Sequence, residues 1–224
     1  MLATLTLDRP EKAHAYDRVH LDEILARARA LAGEVSVLIV QSTGDRAFCG
    51  GADLDAMKAS SFLDALELRS QRVFDELARL PCVTIAAIQG PAIAGGFELA
   101  LACDLRVASP AARFAFPETA LGIIPSAGGT TRLAALVGAS RAKAVVLGGD
   151  GVSAEQALSW GLVHRLSTEP RAEAARWGAE IATRDLVALR LAKQVMGAEL
   201  SAASLARERV AEAILYARKR PESR

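Results

Sequence analysis

Several features that would define whole classes of protein are scarce or absent in this sequence. Aromatic residues make up only 4% of the 224 residues, too few to predict the stacking surfaces that bind single-stranded nucleic acid. The 27 Lys and Arg residues nearly balance the 26 Asp and Glu residues, so no excess of positive charge indicates nucleic acid as a partner. The longest apolar runs fall short of the roughly 18 residues that span a membrane. We therefore expect neither nucleic acid nor a membrane as a partner.

Cysteine and histidine are also sparse. The odd number of cysteines fits buried thiols in a reducing compartment rather than disulfides, and they are Cys49, Cys82 and Cys103. The first nine residues alternate apolar residues with Thr, which indicates a strand rather than a signal peptide, so a cytoplasmic location is predicted. The histidines share no metal-ligand spacing with the cysteines; they are His14, His20 and His164. No metal site is predicted.

Hydrophobic residues make up 51% of the chain, and their spacing predicts strands that alternate with helices. Nearly continuous apolar runs at 35–40 and 83–88 predict strands buried on both faces. Helices are predicted from Asp17 to Gly33, from near Ala52, and over 62–80, where Pro81 ends the pattern. This alternation predicts an α/β core with mostly parallel strands at 1–170. From 171 to 224 the pattern is entirely helical and predicts a separate C-terminal region.

Two segments of the chain share one design, in which a buried strand leads through paired glycines to the start of a helix. Gly50-Gly51 follows the first buried strand, and Gly95-Gly96 follows the second. Glycines allow a close backbone approach, and a helix start offers unpaired N–H groups with a partial positive charge. Together they could stabilise a developing oxyanion. Two ordinary tight turns or a phosphate site are the alternatives, although neither a P-loop nor a G-x-G-x-x-G pattern is present.

Two glutamates occupy apolar surroundings. Glu98 lies in the first turn of a helix between Phe97 and Leu99, and Glu118 lies in a long apolar loop at 114–125. A single glutamate in such a place is most often structural. Burying a charge is costly without a partner or a purpose, so two such residues indicate a functional role. A pair of carboxyl groups whose pKa values are tuned by burial suits general acid–base catalysis.

These motifs resemble those of the enoyl-CoA hydratase/isomerase (crotonase) superfamily. The resemblance rests on FCGGADL at 48–54, AGGFELALACD at 94–104 and FPETALGIIPSAGG at 116–129, with LDRP at 7–10 and GDGVSAEQALSWGLV at 149–163. It covers roughly residues 4 to 195. It implies the α/β fold of the ClpP/crotonase class, a spiral of ββα units followed by a helical C-terminal region.

The resemblance also implies roles for individual residues. The backbone N–H groups of Ala52 and Gly95 would hold the thioester oxygen, and Glu98 and Glu118 match the two carboxylates of hydratases. The substrate, including its coenzyme A portion, would lie along a further set of positions: Ala13, Arg46, Gly50, Gly51, Asp53, Leu54, Gly96, Gly122 and Ser126. Residues 13–17 (AHAYD) replace a more apolar segment of the family, and Ser126 stands where glycine is common.

The implied activity is hydration of the 2,3 double bond of an acyl-coenzyme A thioester. No cofactor is expected, because coenzyme A is part of the substrate. An isomerase, a hydrolase or a decarboxylase of the same fold is the alternative within the enzymes, and an acyl-CoA-binding protein without catalysis is the alternative outside them. The resemblance further implies a homotrimer or a dimer of trimers, to which the apolar residues of the C-terminal helices would contribute.

Overall fold

The computed structural model describes residues 1–59, 61–196 and 201–219. Eight strands lie in this part of the chain: β1 Leu2–Leu7, β2 Val37–Ser42, β3 Val83–Ile88, β4 Ala92–Ile93, β5 Leu105–Ala108, β6 Arg113–Ala115, β7 Val152–Ser153 and β8 Arg165–Leu166. The helices found there are α1 Arg18–Ala32, α2 Leu54–Lys58, α3 Phe62–Glu67, α4 Arg69–Ala78, α5 Gly95–Ala102, α6 Gly129–Val137, α7 Ala139–Gly148, α8 Ala154–Ser159, α9 Pro170–Ala182, α10 Leu186–Val195 and α11 Ala202–Lys219.

Five parallel strands form the larger sheet, in the order β1-β2-β3-β5-β8. Successive side chains of a strand point to opposite faces, so continuous apolar runs such as that of β2 fill two cores. On one face, Leu38 and Val40 join the core that includes side chains of α1, α4 and α5. On the other face, Val37 and Ile39 pack in a core with buried residues of α9. The sheet is therefore covered on both sides.

The smaller sheet has the order β4-β6-β7, in which β4 pairs parallel and β7 antiparallel with β6. Its strands β4 and β7 have only two residues each, too short for any periodic pattern, and the sequence did not predict them. Strand β4 directly precedes α5, and β6 directly precedes the turn that contains Glu118. The small sheet thus brings together the segments that contain the two predicted catalytic carboxylates.

The prediction of a single helix over 62–80 was wrong, because the chain leaves the helical conformation at Leu68. This residue adopts a left-handed conformation (φ 42°, ψ 60°) that ends α3 and precedes α4. After the break, α4 buries its apolar side chains Val73, Phe74 and Leu77, whereas the large side chains of α3 stay exposed. Ion pairs also hold the segment to α1, with Arg18 bound to Asp64.

Other boundaries also differ from the prediction. The helix expected near Ala52 begins at Leu54, because the Asp53 carboxylate caps it by accepting a hydrogen bond from the N–H of Asp55. The apolar loop after Phe116 contains a 3-10 helix at Glu118–Leu121, which ends at Gly122 with φ 75°. The strand predicted at 35–40 lies at Val37–Ser42, in register with β1. Helix α8 begins at a capping box formed by Ser153 and Gln156.

The C-terminal helices pack partly on the sheet. Helix α9 covers the second core, and α10 is held by Lys193, whose Nζ lies 2.7 Å from Oδ2 of Asp104 and donates to the carbonyl of Cys82. The predicted boundary at residue 170 stays a prediction. Of the long helical pattern predicted after 171, residues 197–200 and 220–224 lie outside the described residues. Among the helices at 1–59, 61–196 and 201–219, none combines the length and the apolar character needed to cross a membrane.

Candidate active site

The two glycine-containing loops meet beyond the carboxyl ends of β2 and β3. Cys49 forms a parallel bridge with Ala92, and the N–H of Ile93 donates to the carbonyl of Cys49 at 3.0 Å. A Cβ on Gly51 would lie 3.0 Å from the backbone nitrogen of Gly95, and a Cβ on Gly96 would lie only 2.0 Å from the Cys49 carbonyl oxygen. The loops can approach this closely only because both positions are glycine.

Two backbone N–H groups are positioned at this crossing. Ala52 pairs with Tyr16 in a parallel bridge, in which its neighbours Gly51 and Asp53 make the hydrogen bonds to Tyr16, both at 2.8 Å. In such a bridge the N–H of Ala52 itself points away from Tyr16. Gly95 is the first residue of α5, so its N–H belongs to the turn that lacks intrahelical acceptors. The arrangement supports the prediction of an oxyanion-binding site.

The chain reverses sharply at Ala94 to begin α5. Ala94 has φ 52° and ψ −127°, an unusual conformation for a residue with a side chain, and its N–H donates to the carbonyl of Ala115 at 2.9 Å. Its carbonyl accepts from the N–H groups of Phe97 and Glu98. Non-glycine residues in such conformations cluster at functional sites, where the surrounding structure holds them. Here the turn presents the N–H of Gly95 next to Gly51.

Glu98 lies on the first turn of α5 with its side chain inside the protein. The residue is 4% exposed, and Oε1 accepts a hydrogen bond from the N–H of Gly129 at 2.8 Å. Burial, with a smaller contribution from the negative charge of Glu118, raises the pKa of Glu98 to about 7. The N–H groups of Gly129 and Ala127 oppose this rise in pKa without cancelling it. Glu98 can therefore gain or lose a proton near neutral pH.

Glu118 begins the 3-10 helix and is also buried, with 6% exposed. Burial raises the pKa of its carboxyl group above the usual value. Its Oε2 atom is buried, and within the described part of the chain no group hydrogen-bonds to it. A buried polar atom without a partner costs free energy, which is a reason to seek its role in binding or catalysis.

The two carboxyl groups interact electrostatically, because the charge of Glu118 raises the pKa of Glu98. We expect Glu118→Gln to lower the pKa of Glu98, because the substitution removes a negative charge that opposes ionisation. Desolvation is the larger cause of the shift, so the pKa of Glu98 should remain above its ordinary value of 4.5. Carboxyl ¹³C NMR of glutamate-labelled protein would measure both values. An unchanged Glu98 pKa would contradict the placement of the two glutamates in one site.

The other predicted substrate-binding residues divide into two groups. Around the loop crossing, the N–H of Gly50 donates to the carbonyl of Ala13 at 2.9 Å, and the Asp53 carboxylate lies 3.0 Å from Arg9. Ser126 is half-buried, and its carbonyl accepts from the Gln71 side chain at 2.7 Å. The second group is exposed at the surface, and its members are Arg46, Leu54 and Gly122. The structure thus brings the backbones of Ala13 and Gly50 together at the crossing and leaves Arg46, Leu54 and Gly122 open to solvent.

Two residues next to the carboxylates and the loops were not assigned a role from the sequence. Gly129 donates to Glu98, and a Cβ there would lie 2.8 Å from Glu98 Oε1 and 2.7 Å from the Phe116 ring. Tyr16 is buried and lies against both Ala52 and Gly95. Gly129 was visible as the second member of a glycine pair in the quoted motif. Tyr16 was visible only as a departure from the apolar segment of the resembling family.

The fold and the site define a class of α/β protein in which two crossing loops offer backbone N–H groups beside a buried pair of carboxyl groups. The sequence model of the enoyl-CoA hydratase/isomerase family matches residues 1–222, and the chain belongs to this family. It is 39% identical over 201 residues to the putative enoyl-CoA hydratase/isomerase YngF of Bacillus subtilis, covering 86% of this chain and 76% of that protein. It is 36% identical over 198 residues to the crotonyl-CoA hydratase of Syntrophomonas wolfei, covering 86% and 76%.

Solved structures agree with this assignment. An enoyl-CoA hydratase from Bacillus anthracis superposes with a TM-score of 0.90 at 32% identity, covering 95% of this chain and 86% of that one. A protein from Geobacillus kaustophilus, described as an enoyl-CoA hydratase subunit, gives a TM-score of 0.90 at 36% identity, covering 96% and 86%. The predicted crotonase fold with C-terminal helices is therefore confirmed.

Proposed function

We propose that the protein is an enoyl-CoA hydratase that adds water across the 2,3 double bond of an acyl-CoA thioester. The observation that carries the proposal is the pairing of Glu98 and Glu118, both buried and both with raised pKa values, near the backbone N–H groups of Ala52 and Gly95 at the loop crossing. Acid–base chemistry at neutral pH needs carboxyl groups tuned in this way. Relatives named as hydratases at 35% and 36% identity support the same reaction class.

The chemistry assigns one task to each part of the site. The N–H groups of Ala52 and Gly95 hold the thioester oxygen. By polarising the carbonyl group they make C3 electrophilic, and they stabilise the negative charge on the oxygen as the enolate forms. One carboxylate takes a proton from water while the oxygen of that water bonds to C3. The other carboxyl group gives a proton to C2, so the glutamate pair ends with the same number of protons. Either glutamate can fill either role, because the coupled pair shares its protons.

Isomerisation of the double bond is the second candidate. Moving a double bond requires a base that takes a proton from one carbon and returns it to another, for which a single carboxylate is sufficient. Several relatives are named for both activities, including the enoyl-CoA isomerase/hydratase fer4 of Mycosarcoma maydis. Two buried carboxyl groups exceed what isomerisation needs, and this favours hydration.

The test is an assay of crotonyl-CoA hydration. The reaction is monitored through the loss of absorbance of the conjugated thioester, and the product is identified as 3-hydroxybutanoyl-CoA. But-3-enoyl-CoA serves as the matched substrate for isomerisation. We expect rapid hydration of crotonyl-CoA. Conversion of but-3-enoyl-CoA to crotonyl-CoA without further hydration would favour the isomerase, and binding of both thioesters without turnover would favour a non-catalytic protein.

We also propose that the chain forms a homotrimer or a dimer of trimers. Large apolar side chains are exposed beside the Glu118 turn and on α11, including Leu121, Ile124, Val210 and Ile214. The apolar residues of α10 are half-buried in the single chain and could be buried further in a contact between subunits: Leu186, Val187, Leu189 and Leu191. Exposed apolar surface of this kind favours association. Sedimentation equilibrium should give the mass of three or six chains, and a purely monomeric protein would contradict the proposal.

A further inference from the structure

One residue contacts both loops that supply the candidate oxyanion-binding N–H groups. The backbone N–H of Tyr16 donates to the carbonyl of Gly51, and the carbonyl of Tyr16 accepts from the N–H of Asp53. Ala52 is therefore held on both sides by the backbone of Tyr16. The side chain of the same residue reaches the other loop, where the position that a Cβ of Gly95 would occupy lies 1.8 Å from the phenolic oxygen.

The side chain of Tyr16 is fixed at several points. The residue is 5% exposed, and its ring packs edge-on against Phe74 with centroids 5.6 Å apart. The side chain of Ser70, on α4, acts on the phenolic group and lowers its pKa slightly against the effect of burial. Burial raises the pKa of Tyr16 well above its usual value, so the group stays neutral beside Glu98 and Glu118. A neutral, immobile phenol can therefore act as a rigid support behind Gly95.

We propose that Tyr16 is a positioning residue that sets the separation of the Ala52 and Gly95 N–H groups. Its backbone places the first donor, and its phenol blocks movement of the second donor toward α4. An oxyanion hole works only if its donors point at the position where negative charge develops. The inference rests on the proposed function, because it assigns to these two N–H groups the task of polarising a thioester carbonyl.

The variant Tyr16→Phe tests the contact of the phenol with Gly95 separately from the backbone pairing of Tyr16, because the hydrogen bonds to Gly51 and Asp53 do not need the hydroxyl group. Loss of the hydroxyl leaves space behind Gly95, where the phenolic oxygen lies 1.8 Å from the position of a Cβ. Displacement of catalytic groups by as little as an ångström lowers rates strongly. We expect kcat for crotonyl-CoA to fall about 10-fold while KM changes by less than about 2-fold. Tyr216→Phe, at an exposed position on α11, is the matched control and should leave both constants unchanged.

Infrared spectroscopy of bound butanoyl-CoA, labelled with ¹³C at the thioester carbonyl, gives a readout that does not require turnover. This saturated thioester has no double bond to hydrate. The carbonyl band should move to lower wavenumber in the wild type, and the displacement should be smaller in Tyr16→Phe. Thermal unfolding of the variant close to that of the wild type would show that the change is local.

The outcomes separate the inference from the proposed function. A displaced carbonyl band in the wild type without hydration of crotonyl-CoA would reject the hydratase and leave the role of Tyr16 open to the same comparison of band positions. Equal band displacement in the wild type and Tyr16→Phe, with equal kcat, would overturn the role of Tyr16. A wild-type band at the position of free butanoyl-CoA would also overturn it, because the two N–H groups would then not polarise a carbonyl.

Discussion

Glu98→Gln and Glu118→Gln are each expected to lower kcat for crotonyl-CoA hydration by about 10³-fold, within the range found when a general acid or base is removed. The amide of glutamine is close to the carboxyl group in size and can still accept the hydrogen bond from Gly129. It can neither take nor give a proton in the pH range of the reaction. Steady-state kinetics on both variants would measure the effect, with KM expected to change little.

The same substitutions are expected to make the folded protein more stable at pH 8. A carboxyl group whose pKa is raised by folding binds its proton more tightly in the folded than in the unfolded chain. Ionisation of either group therefore destabilises the fold. For Glu98 the full penalty is present above about pH 7 and is relieved as the pH falls from about 7 toward 4.5. Removing the charge should raise the melting temperature at pH 8 and leave little difference near pH 4.5.

Glu208→Gln provides the matched control, because Glu208 is exposed on α11. It should change neither kcat nor the melting temperature at either pH. Loss of kcat in only one of the two buried variants would contradict the two-carboxylate mechanism and favour the single base of an isomerase. Lower stability of both variants at pH 8 would instead indicate that the carboxylates are held by stabilising contacts.

The part of the site that could be predicted was the part whose residue types conflict with their surroundings. Glu98 stood out because it lies among apolar residues, and the paired glycines stood out because they follow buried strands. Both signals are local in the sequence. The meeting of Glu98 with Gly129, 31 positions away, depends on how α5 and α6 pack, and no local pattern specifies it.

The fold shows the same division between local and distant causes. The helix at Asp17 and the capping box at Ser153 were predictable because the side chain and its backbone partner are three residues apart. The break at Leu68 was not, because leucine has no preference for a left-handed conformation. The break allows α4 to bury its apolar side chains and allows the ion pair between α1 and α3 to form. Tyr16 was likewise unpredictable as a support for Gly95, since 79 positions separate the two residues.

Gly96→Ala is expected to lower the free energy of unfolding by about 3 kcal/mol or more, the upper end of the cost of overpacking. The added Cβ would lie 2.0 Å from the carbonyl oxygen and 2.6 Å from the carbonyl carbon of Cys49. These backbone atoms belong to the bridge between the two loops, so relief of the clash requires the loops to separate. The Ala52 and Gly95 donors would separate with them, and kcat should fall together with stability.

Gly148→Ala distinguishes this clash from the general effect of replacing glycine in a helix. Gly148 ends α7, and a Cβ there would lie no closer than 3.8 Å to its nearest neighbour, the Asp150 carboxylate. Alanine is favoured over glycine within a helix, so Gly148→Ala should be neutral or slightly stabilising, by at most about 1 kcal/mol. Urea unfolding of both variants at equal protein concentration would measure the difference. Wild-type stability and kcat in Gly96→Ala would mean that the two loops do not need their close contact, and the assignment of Ala52 and Gly95 as paired donors would lose its structural basis.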